Sequence, residues 1–285
     1  MMDLLFALLI WGGATVVAIR IANSPFYTAL WAKLAVPALL GVSILVLWEG
    51  IVRGFGVSPV ILPPPSAIAS QFAQSIPILW GDFVQTFVKG ALSGYIIGCG
   101  AAFVIAILID RSPFLREGLM PVGNFLAAMP IIGTAPILVM WFGFDWQSKA
   151  AVIVVMTFFP MFINTLAGLQ STDAIHNDLM HTYAANKSQI FIKSQLPQAL
   201  PFIFNALKLN STLALIGAIV AEFFGTPIVG MGFRISTEVG RMNMDMVWAT
   251  IVVAAIAGPL SYGALALLER SLLFWHPSFR GTHKR

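Results

Sequence analysis

Apolar runs about as long as a bilayer is thick recur along this chain, with only short polar segments between them. A helix needs about 20 mostly apolar residues to cross a membrane. The first run is the weakest, and a cleaved signal peptide is its alternative; Asp3 stands where a signal peptide has basic residues, so we expect a retained span. The runs predict seven membrane-spanning helices, at residues 2–19, 34–53, 83–109, 121–142, 149–169, 200–224 and 246–268.

The composition agrees with a membrane protein. Of the 285 residues, 58% are hydrophobic and 10% are charged, whereas a soluble domain carries roughly 25% charged residues. The mean hydropathy is +0.87, so lipid must cover much of the apolar surface. The net charge of +4 comes without a basic cluster interleaved with aromatic residues, so we expect no nucleic-acid partner. The single cysteine, Cys99, excludes an internal disulfide.

The distribution of lysine and arginine predicts the orientation, because cytoplasmic loops carry an excess of both. If residues 178–201 are cytoplasmic, the segments on that side hold Arg20, Lys33, Arg111, Arg116, Lys187, Lys193, Arg270, Arg280, Lys284 and Arg285. The opposite side then receives only Arg53, Lys149, Arg234 and Arg241. We therefore expect a multi-pass membrane protein with an external N-terminus and a cytoplasmic tail.

Two segments that this orientation places outside carry turn and helix signals. Residues 61–83 contain three consecutive prolines and then Ser66, a residue type that caps helices. A short amphipathic helix on the membrane surface should follow, and Pro77 should end or kink it. Its apolar positions at helical spacing are Ile68, Phe72, Ile76 and Leu79. Residues 225–245 hold four glycines, which predicts a turn-rich loop with one short helix.

The sequence lacks the motifs of an enzyme. It has no phosphate-binding loop, no H-E-x-x-H pair and no nucleophile elbow. We expect no catalytic residue, metal or cofactor in this chain. The four histidines stand at expected cytoplasmic edges without the spacing of metal ligands; they are His176, His181, His276 and His283.

Polar residues inside the predicted spans are candidates for function, because charges in a bilayer are rare and usually face protein or water. Snorkelling to the interface is the alternative for Lys89 and for Lys208. For Glu222 the alternatives are contact with water or a pair with Lys89 or Arg234. No carboxylate falls near the middle of a span, which counts against a proton-driven carrier. The candidates for a translocation path are Lys89, Asn124, Asn164, Ser211, Thr212 and Glu222.

Glycines and prolines also recur within the spans. Prolines at 130, 136, 160 and 259 interrupt helices, which suits a bundle that rearranges, although packing alone also explains them. One helix has small residues at mostly four-residue spacing, which predicts close contact with a neighbouring helix. These residues are Gly90, Gly94, Gly98 and Gly100.

The polar stretch DLMHTYAANKSQIFIKSQLPQALP, residues 178–201, separates two apolar runs. It resembles the cytoplasmic coupling loop, or EAA loop, of permease subunits from bacterial ABC importers. That family pattern has an acidic residue, two small residues, a glycine six positions after the acid, and Leu-Pro at positions eighteen and nineteen. Asp178, Ala184 and Leu196-Pro197 hold these places, although Leu179-Met180 replace the two small residues and alanine replaces the glycine.

The resemblance implies that this loop, residues 171–199, contacts a separate ATPase. Pro197 is expected to end one short helix and begin the next span. Ala184 is expected at the bend between two short helices, where a positive φ would cost it about 1 kcal/mol relative to glycine and a negative φ would not. The residues that match the coupling loop are Asp178, Leu179, Met180, Ala184, Lys187, Phe191, Lys193, Leu196 and Pro197.

Further motifs extend the resemblance from about residue 61 to residue 277. They are ILPPPSAI, AAMPIIGTAPILVMWFG, LIGAIVAEFFG and GMGFRI, which together look like the nitrate, sulfonate and taurine branch of the family. The resemblance implies an all-α type I importer bundle with six core spans plus one additional N-terminal span. It also implies a division into N-terminal spans (1–55), a permease core (56–277) and a basic tail (278–285).

The function that the resemblance implies is transport by alternating access. The chain would pair with a second permease copy, two ATPase subunits and an extracytoplasmic substrate-binding protein. A secondary carrier that uses the same bundle without ATP is the alternative, whereas a membrane-embedded enzyme has no catalytic constellation to support it. The segments LIGAIVAEF and ALLERSLLFWHPS resemble permeases for pyrimidine precursors of thiamine or for riboflavin. We therefore expect a nitrogen heterocycle as substrate rather than an aliphatic sulfonate, taurine or nitrate.

Overall fold

The computed structural model describes residues 2–24, 27, 29–110, 112, 114, 118, 121, 131–225 and 227–275. These residues form helices and connecting turns, with no strand among them. They divide into two compact units, one of residues 1–79 and 234–251 and the other of residues 80–233 and 252–285.

The first unit begins with two long apolar helices, α1 (Met2–Ala22) and α2 (Leu30–Gly54), followed by the short α3 (Pro65–Gln74). The contact between α1 and α2 is close, because a Cβ on Gly54 would lie 2.8 Å from the Cβ of Leu4. Trp48 of α2 also meets Trp248 edge to face, with ring centroids 4.9 Å apart.

The predicted surface helix is present as α3, but Ser66 does not cap it. Pro64 is the N-cap and Pro65 is the first helical residue, which needs no partner for an N–H that proline lacks. The Ser66 backbone N–H instead donates to Oε2 of Glu49 on α2 at 3.0 Å. Arg53 holds the same carboxylate from one turn further along α2, with its Nε 2.5 Å from Oε1. The sequence suggested Ser66 as the cap of this helix. A carboxylate from a neighbouring helix caps it instead.

Pro77 was expected to end or kink this helix, and α3 does end at Gln74, three residues before Pro77; a new helix, α4 (Ile76–Phe83), then begins. Ser75 separates α3 from α4. Ile68 and Leu79 are buried as the helical spacing predicted, whereas the Ile76 side chain is 55% exposed. The break at Ser75 changes the helical phase, so one stripe cannot continue through both helices.

The second unit contains most of the bundle. The helix that starts with α4 continues through a π-helical segment (Val84–Ala91) into α5 (Leu92–Asp110). Then come α6 (Ile131–Phe142), α7 (Trp146–Gln170), α8 (Ala174–Thr182) and α9 (Lys187–Ile190). A second π-helical segment (Phe191–Gln195) leads into α10 (Leu196–Glu222). The last helices, α11 (Met231–Gly240) and α12 (Met244–Leu272), each contribute residues to both units.

Helix α7 is the centre of the second unit, because it packs against α5, α6 and α10. Small residues dominate the contact between α5, α7 and α10, which lets the helix backbones approach one another. Larger apolar side chains fill the space near the end of α7. The buried cluster consists of Cys99, Ala102, Ala106, Ile109, Met161, Phe162, Leu166, Leu169, Ala199, Ile203 and Ala206.

Three of the four glycines predicted to mediate close helix contact face α7. A Cβ on Gly94 would lie 2.7 Å from the Ile153 Cβ and 2.8 Å from the Ala150 carbonyl oxygen. A Cβ on Gly98 would overlap the Thr157 hydroxyl, and one on Gly90 would reach within 3.4 Å of the Lys149 Cβ. A Cβ on Gly100 would meet no described atom within 4 Å. The prediction is therefore correct for the glycines at exact four-residue spacing, since only these share one face of the helix.

The spans agree with the sequence-based boundaries to within a few residues at most ends. Among the described residues, six helical runs are long and apolar enough to cross a membrane. The run that includes α4 is longer than predicted, because the last part of the predicted surface segment, from Ile76 onward, continues into the span. The remaining predicted span, residues 121–142, is described as a helix only from Ile131 to Phe142. Its part at 122–130 lies outside the described residues.

Candidate functional site

The coupling-loop stretch forms a pair of short helices between α7 and α10. Asp173 is the N-cap of α8, and its Oδ1 accepts a hydrogen bond from the Ile175 backbone N–H at 3.2 Å. Asn186 and Gln189 form a reciprocal capping box at the start of α9, with both hydrogen bonds at 2.9 Å. Each helix therefore has its own local start signal. Asp178 lies in the middle of α8, so its charge does not stabilise the N-terminal end of that helix.

Ala184 lies in the bend between the two helices with a φ of +52°. This is the left-handed conformation, in which a Cβ costs about 1 kcal/mol relative to glycine. Hydrogen bonds hold the bend closed, because the backbone N–H groups of Ala184 and Ala185 donate to His181 and Met180 at 2.9 and 3.0 Å. The backbone thus has the glycine-type conformation that the family pattern implies, although the residue is alanine.

Pro197 does not separate the helix pair from the next span, which corrects the expectation from the sequence. The helix runs without a break from Lys187 to Glu222, and Pro197 is the second residue of α10. The Leu196 N–H donates to the Phe191 carbonyl, five residues back, as in a π-helix. The wider π-helical turn leaves room for a residue that has no N–H and whose ring would clash with a normal turn. The helix pair is therefore joined to α10 by continuous helix.

The residues matched to the coupling loop divide by exposure. Phe191 and Leu196 pack against the core cluster of α5, α7 and α10, and Met180 and Pro197 are also half-buried. The other five are exposed, which leaves them free to contact a partner; they are Asp178, Leu179, Ala184, Lys187 and Lys193.

A cleft lies on each side of the helix pair. One, of about 490 Å³, includes Asp110, His181, Lys187 and Phe191 in its wall. The other, of about 640 Å³, is lined by residues of α8, by the start of α10 and by Trp275. Nothing in the spacing of the sequence indicated either cleft.

A buried polar cluster holds the loop that follows the other end of α10. The Glu222 side chain is only 3% exposed, and its carboxylate accepts from the Thr86 hydroxyl at 2.8 Å and from the Gly232 N–H at 2.7 Å. Thr86 in turn accepts from the Met231 N–H at 2.7 Å. Asp82, one turn earlier, accepts from the Gly230 N–H at 2.8 Å. We call Asp82, Thr86 and Glu222 the loop clamp, because together they bind three consecutive backbone N–H groups at the start of α11.

Lys149 supports the same loop from α7. It was counted in the sequence among charges of an external segment, but it is 2% exposed. Its ammonium group donates to the carbonyl oxygen of Phe144 at 2.5 Å and to that of Gly225. These carbonyls follow the C-terminal ends of α6 and α10, where the negative end of a helix dipole favours a cation. Nearby, hydrogen bonds from the Trp146 backbone N–H and the Gln85 side chain lower the pKa of Asp145, which caps α7.

The structure does not bring the predicted path residues together. Lys89 is exposed, on the π-helical segment before α5. Ser211 and Thr212 donate to carbonyl oxygens of their own helix at 2.7 and 2.8 Å, and Asn164 donates to the Pro160 carbonyl at 2.8 Å. Asn124 lies outside the described residues. Of the five that the structure describes, only Glu222 belongs to a polar cluster, and its path role stays a prediction.

Sequence reasoning missed Asp82, Thr86 and Lys149. One signal was available for the first two. Asp82, Gln85, Thr86 and Lys89 recur at the spacing of one helix face within an otherwise apolar run. Lys149 carried no such signal, because a lysine in the first turn of a helix is normally an exposed charge.

Replacement of Glu222 by alanine is expected to release the loop between α10 and α11 from the loop clamp. Glu222→Ala leaves the Thr86 hydroxyl and the Gly232 N–H without an acceptor, at a cost of about 1–3 kcal/mol for each buried group. We expect a lower thermal unfolding midpoint in detergent and faster proteolysis between residues 223 and 230. Glu222→Gln should be intermediate, because an amide still accepts from Thr86. Glu49→Ala, a more exposed carboxylate in the first unit, is the control, and equal proteolysis of all three variants would refute the clamp.

Comparison with known proteins identifies the bundle. Residues 94–273 match the family described as binding-protein-dependent transport system inner membrane component. The formylaminopyrimidine transport permease protein of Halalkalibacterium halodurans is 32% identical over 243 residues, 84% of this chain and 95% of that protein. The riboflavin transport system permease protein of Chloroflexus aurantiacus is 29% identical over 87% of this chain and 92% of that protein. The taurine transport system permease protein of Escherichia coli is 26% identical over 82% and 86%.

Among solved structures, the bundle is similar to a chain of the MetNI methionine ABC transporter in an inward-facing conformation. The TM-score is 0.55 at 19% identity, and the match covers 69% of this chain and 94% of that one. At this identity the likeness concerns the fold, which is that of a type I ABC importer permease. By fold, by the family match and by its relatives, this chain belongs to the binding-protein-dependent inner-membrane permeases, the multi-pass transport subunits of ABC importers.

Proposed function

We propose that this chain forms the translocation path of an ATP-driven importer as a homodimer, with two ATPase subunits bound at the α8–α9 helix pair. The observation that carries the proposal is the left-handed bend at Ala184 between two independently capped helices. Such a bend presents a rigid pair of short helices, on which Asp178, Leu179, Ala184 and Lys187 are exposed. A substrate-binding protein would meet the opposite, external face, on which the lysine and arginine distribution places the loop clamp.

The helix α10 provides a direct mechanical link between the two ends. It begins next to the helix pair, contains 27 residues and ends at Glu222 of the loop clamp. At 1.5 Å per residue the two ends are about 40 Å apart. Movement of the helix pair upon ATP binding would therefore tilt α10 and strain the hydrogen bonds of the loop clamp. Opening of the external side is the expected consequence, as one of two states whose balance a ligand shifts.

Lys89 is our first candidate for contact with the solute. It lies inside a membrane-spanning run and is exposed, and a charge in that position is costly against lipid. Lys89 also lies on a π-helical segment, and such segments are frequent at functional sites. Ser211, Thr212, Asn164 and Asn124 remain weaker candidates, because the hydroxyls and the Asn164 amide already bind their own helices.

The substrate we favour is a nitrogen heterocycle of the size of a pyrimidine or a flavin. The support is an identity of 32% to the permease named for formylaminopyrimidine and of 29% to the permease named for riboflavin. An aliphatic sulfonates permease of Bacillus subtilis is also 32% identical, so sulfonates are the competing substrate class. Selectivity would reside mainly in the binding protein. A thermal-shift screen of that protein with pyrimidines, flavins and sulfonates tests the choice, and stabilisation by a sulfonate alone would reverse it.

We propose a division of the chain into two N-terminal spans at residues 1–55, a permease core at 56–277 and a tail at 278–285. The family match at 94–273 falls within that core. We propose that α1, the span additional to the six core spans, is peripheral to transport.

Reconstitution into proteoliposomes tests the function as a whole. Uptake should require the ATPase, ATP and the binding protein together, and an ATPase with its phosphate-loop lysine replaced should abolish uptake while still binding the permease. A secondary carrier would instead transport down an ion gradient with the permease alone. Uptake that persists without the ATPase would therefore replace our proposal with that alternative.

A further inference from the structure

The larger cleft beside the helix pair has the composition of a lipid headgroup site. Its volume is about 640 Å³. Three elements form it: the end of α7 with the start of α8, the segment from Lys193 into α10, and the residue Trp275 that follows α12. Because one end of three membrane-spanning helices meets here, the cleft lies where the bundle leaves the membrane.

The position in the membrane follows from the residues along α10. Its first part and the preceding π-helical segment hold Ser194, Gln195 and Gln198, and beyond them the helix is apolar over residues 199–204, between one and two turns. The wall of the cleft spans this boundary, since it includes both Lys193 and Phe202. Trp275 lines the same cleft, and tryptophan favours the interface between headgroups and acyl chains.

The polar side of the cleft carries charges of both signs. Lys193 supplies an ammonium group and Asp173 a carboxylate, and the His176 side chain lies in the same wall. Asp173 uses one oxygen to cap α8, at 3.2 Å from the Ile175 nitrogen. Ser194 is 6% exposed, and within the described chain its hydroxyl has no hydrogen-bond partner. A buried hydroxyl without a partner costs free energy, which a ligand that supplies a hydrogen bond would recover.

The apolar side of the cleft continues from this polar wall towards the membrane interior. Leu179, Met180, Pro201, Phe202 and Trp275 form it. Leu179 is 51% and Phe202 is 39% exposed. A ligand that matches both sides carries an anionic group and an amine at one end and hydrocarbon at the other.

We propose that this cleft binds one aminophospholipid, with the phosphate against Lys193, His176 and Ser194 and the amine against Asp173. The acyl chains then run over Phe202 and Trp275. The headgroup would brace α8 against the start of α10, so the lipid becomes part of the helix pair that we propose as the ATPase contact. The lipid site does not depend on that contact, because its residues belong to the permease alone.

Native mass spectrometry of the delipidated permease–ATPase complex tests the proposal. After addition of phosphatidylethanolamine, phosphatidylglycerol or phosphatidylcholine, the complex should retain phosphatidylethanolamine at the lowest concentration. Lys193→Gln should weaken retention of every phospholipid about tenfold, the loss expected for a charge-assisted hydrogen bond. Asp173→Asn keeps the cap of α8 but removes the charge, so it should abolish the preference for the amine headgroup while phosphatidylglycerol still binds.

Lys187→Gln is the matched control, because Lys187 lies on the same helix pair but lines the other cleft. It should leave lipid retention unchanged. Glycerophosphoethanolamine, which has the headgroup without acyl chains, should not compete at equal concentration. Equal retention of all lipids by all variants would mean ordinary surrounding lipid and would overturn the proposal. Binding that occurs only after removal of the ATPase would overturn it as well, since the ATPase would then fill the cleft.

Discussion

Gly94→Val is expected to prevent the bundle from folding, whereas Gly100→Val in the same helix is expected to leave it intact. A Cβ at residue 94 would lie 2.8 Å from the Ala150 carbonyl oxygen, a backbone atom that cannot rotate away. It would also lie 2.7 Å from the Cβ of Ile153, which is fully buried. Helices α5 and α7 must therefore separate along their whole contact. Ordinary overpacking costs about 1–3 kcal/mol, and separation of two helices should cost more.

The comparison with Gly100→Val isolates the packing effect. Both substitutions place a β-branched residue in α5, so any cost in helix propensity is the same. A Cβ at residue 100 meets no described atom within 4 Å. We expect Gly94→Val to aggregate in fluorescence-detected size-exclusion chromatography and Gly100→Val to elute with the parent. Similar elution of the two variants would show that the close contact between α5 and α7 is not needed for folding.

Ala184→Glu is expected to abolish ATP-driven uptake without loss of the folded permease. Ala184 is exposed, and the bend contributes little buried apolar area, so the substitution should not affect insertion or expression. The left-handed φ of +52° costs alanine and glutamate about the same, because both carry a Cβ. The effect should therefore come from a bulky charge in the ATPase contact. Ala184→Gly, which relieves the backbone cost, should keep full uptake.

Co-purification with the ATPase and uptake by proteoliposomes measure the effect. Ala184→Glu should lose both the bound ATPase and substrate-stimulated ATP hydrolysis. Ala73→Glu, at an exposed alanine of α3, is the matched control and should retain the ATPase. Asp178→Ala should have a smaller effect, since Asp178 lies in the middle of α8 and supports no helix end. If Ala184→Glu binds the ATPase and transports at the parent rate, the α8–α9 pair is not the coupling site.

The sequence by itself determined the features that depend on local pattern. Span length and hydropathy predicted the membrane helices, because the bilayer imposes one length on every crossing segment. Four-residue spacing predicted the glycine face of α5, although only contact with α7 excluded Gly100 from it. The resemblance carried by the Asp178-to-Pro197 pattern implied the short helix pair and its bend. Local capping residues form both helices, so no distant contact was needed to recognise them.

Only the tertiary structure decided which polar residues act together. Glu222 binds Thr86, which is 136 positions away in the sequence, and Lys149 binds Gly225, which is 76 positions away. No periodicity in the sequence encodes such pairs. The cap of α3 by Glu49, and the cleft between α8, α10 and Trp275, likewise depend on elements brought together by packing. The tertiary structure also decided that the helix continues through Pro197. Proline normally stops a helix, but a π-helical turn can accommodate it. Local pattern fixes where helices form, whereas burial selects the partners of their polar groups.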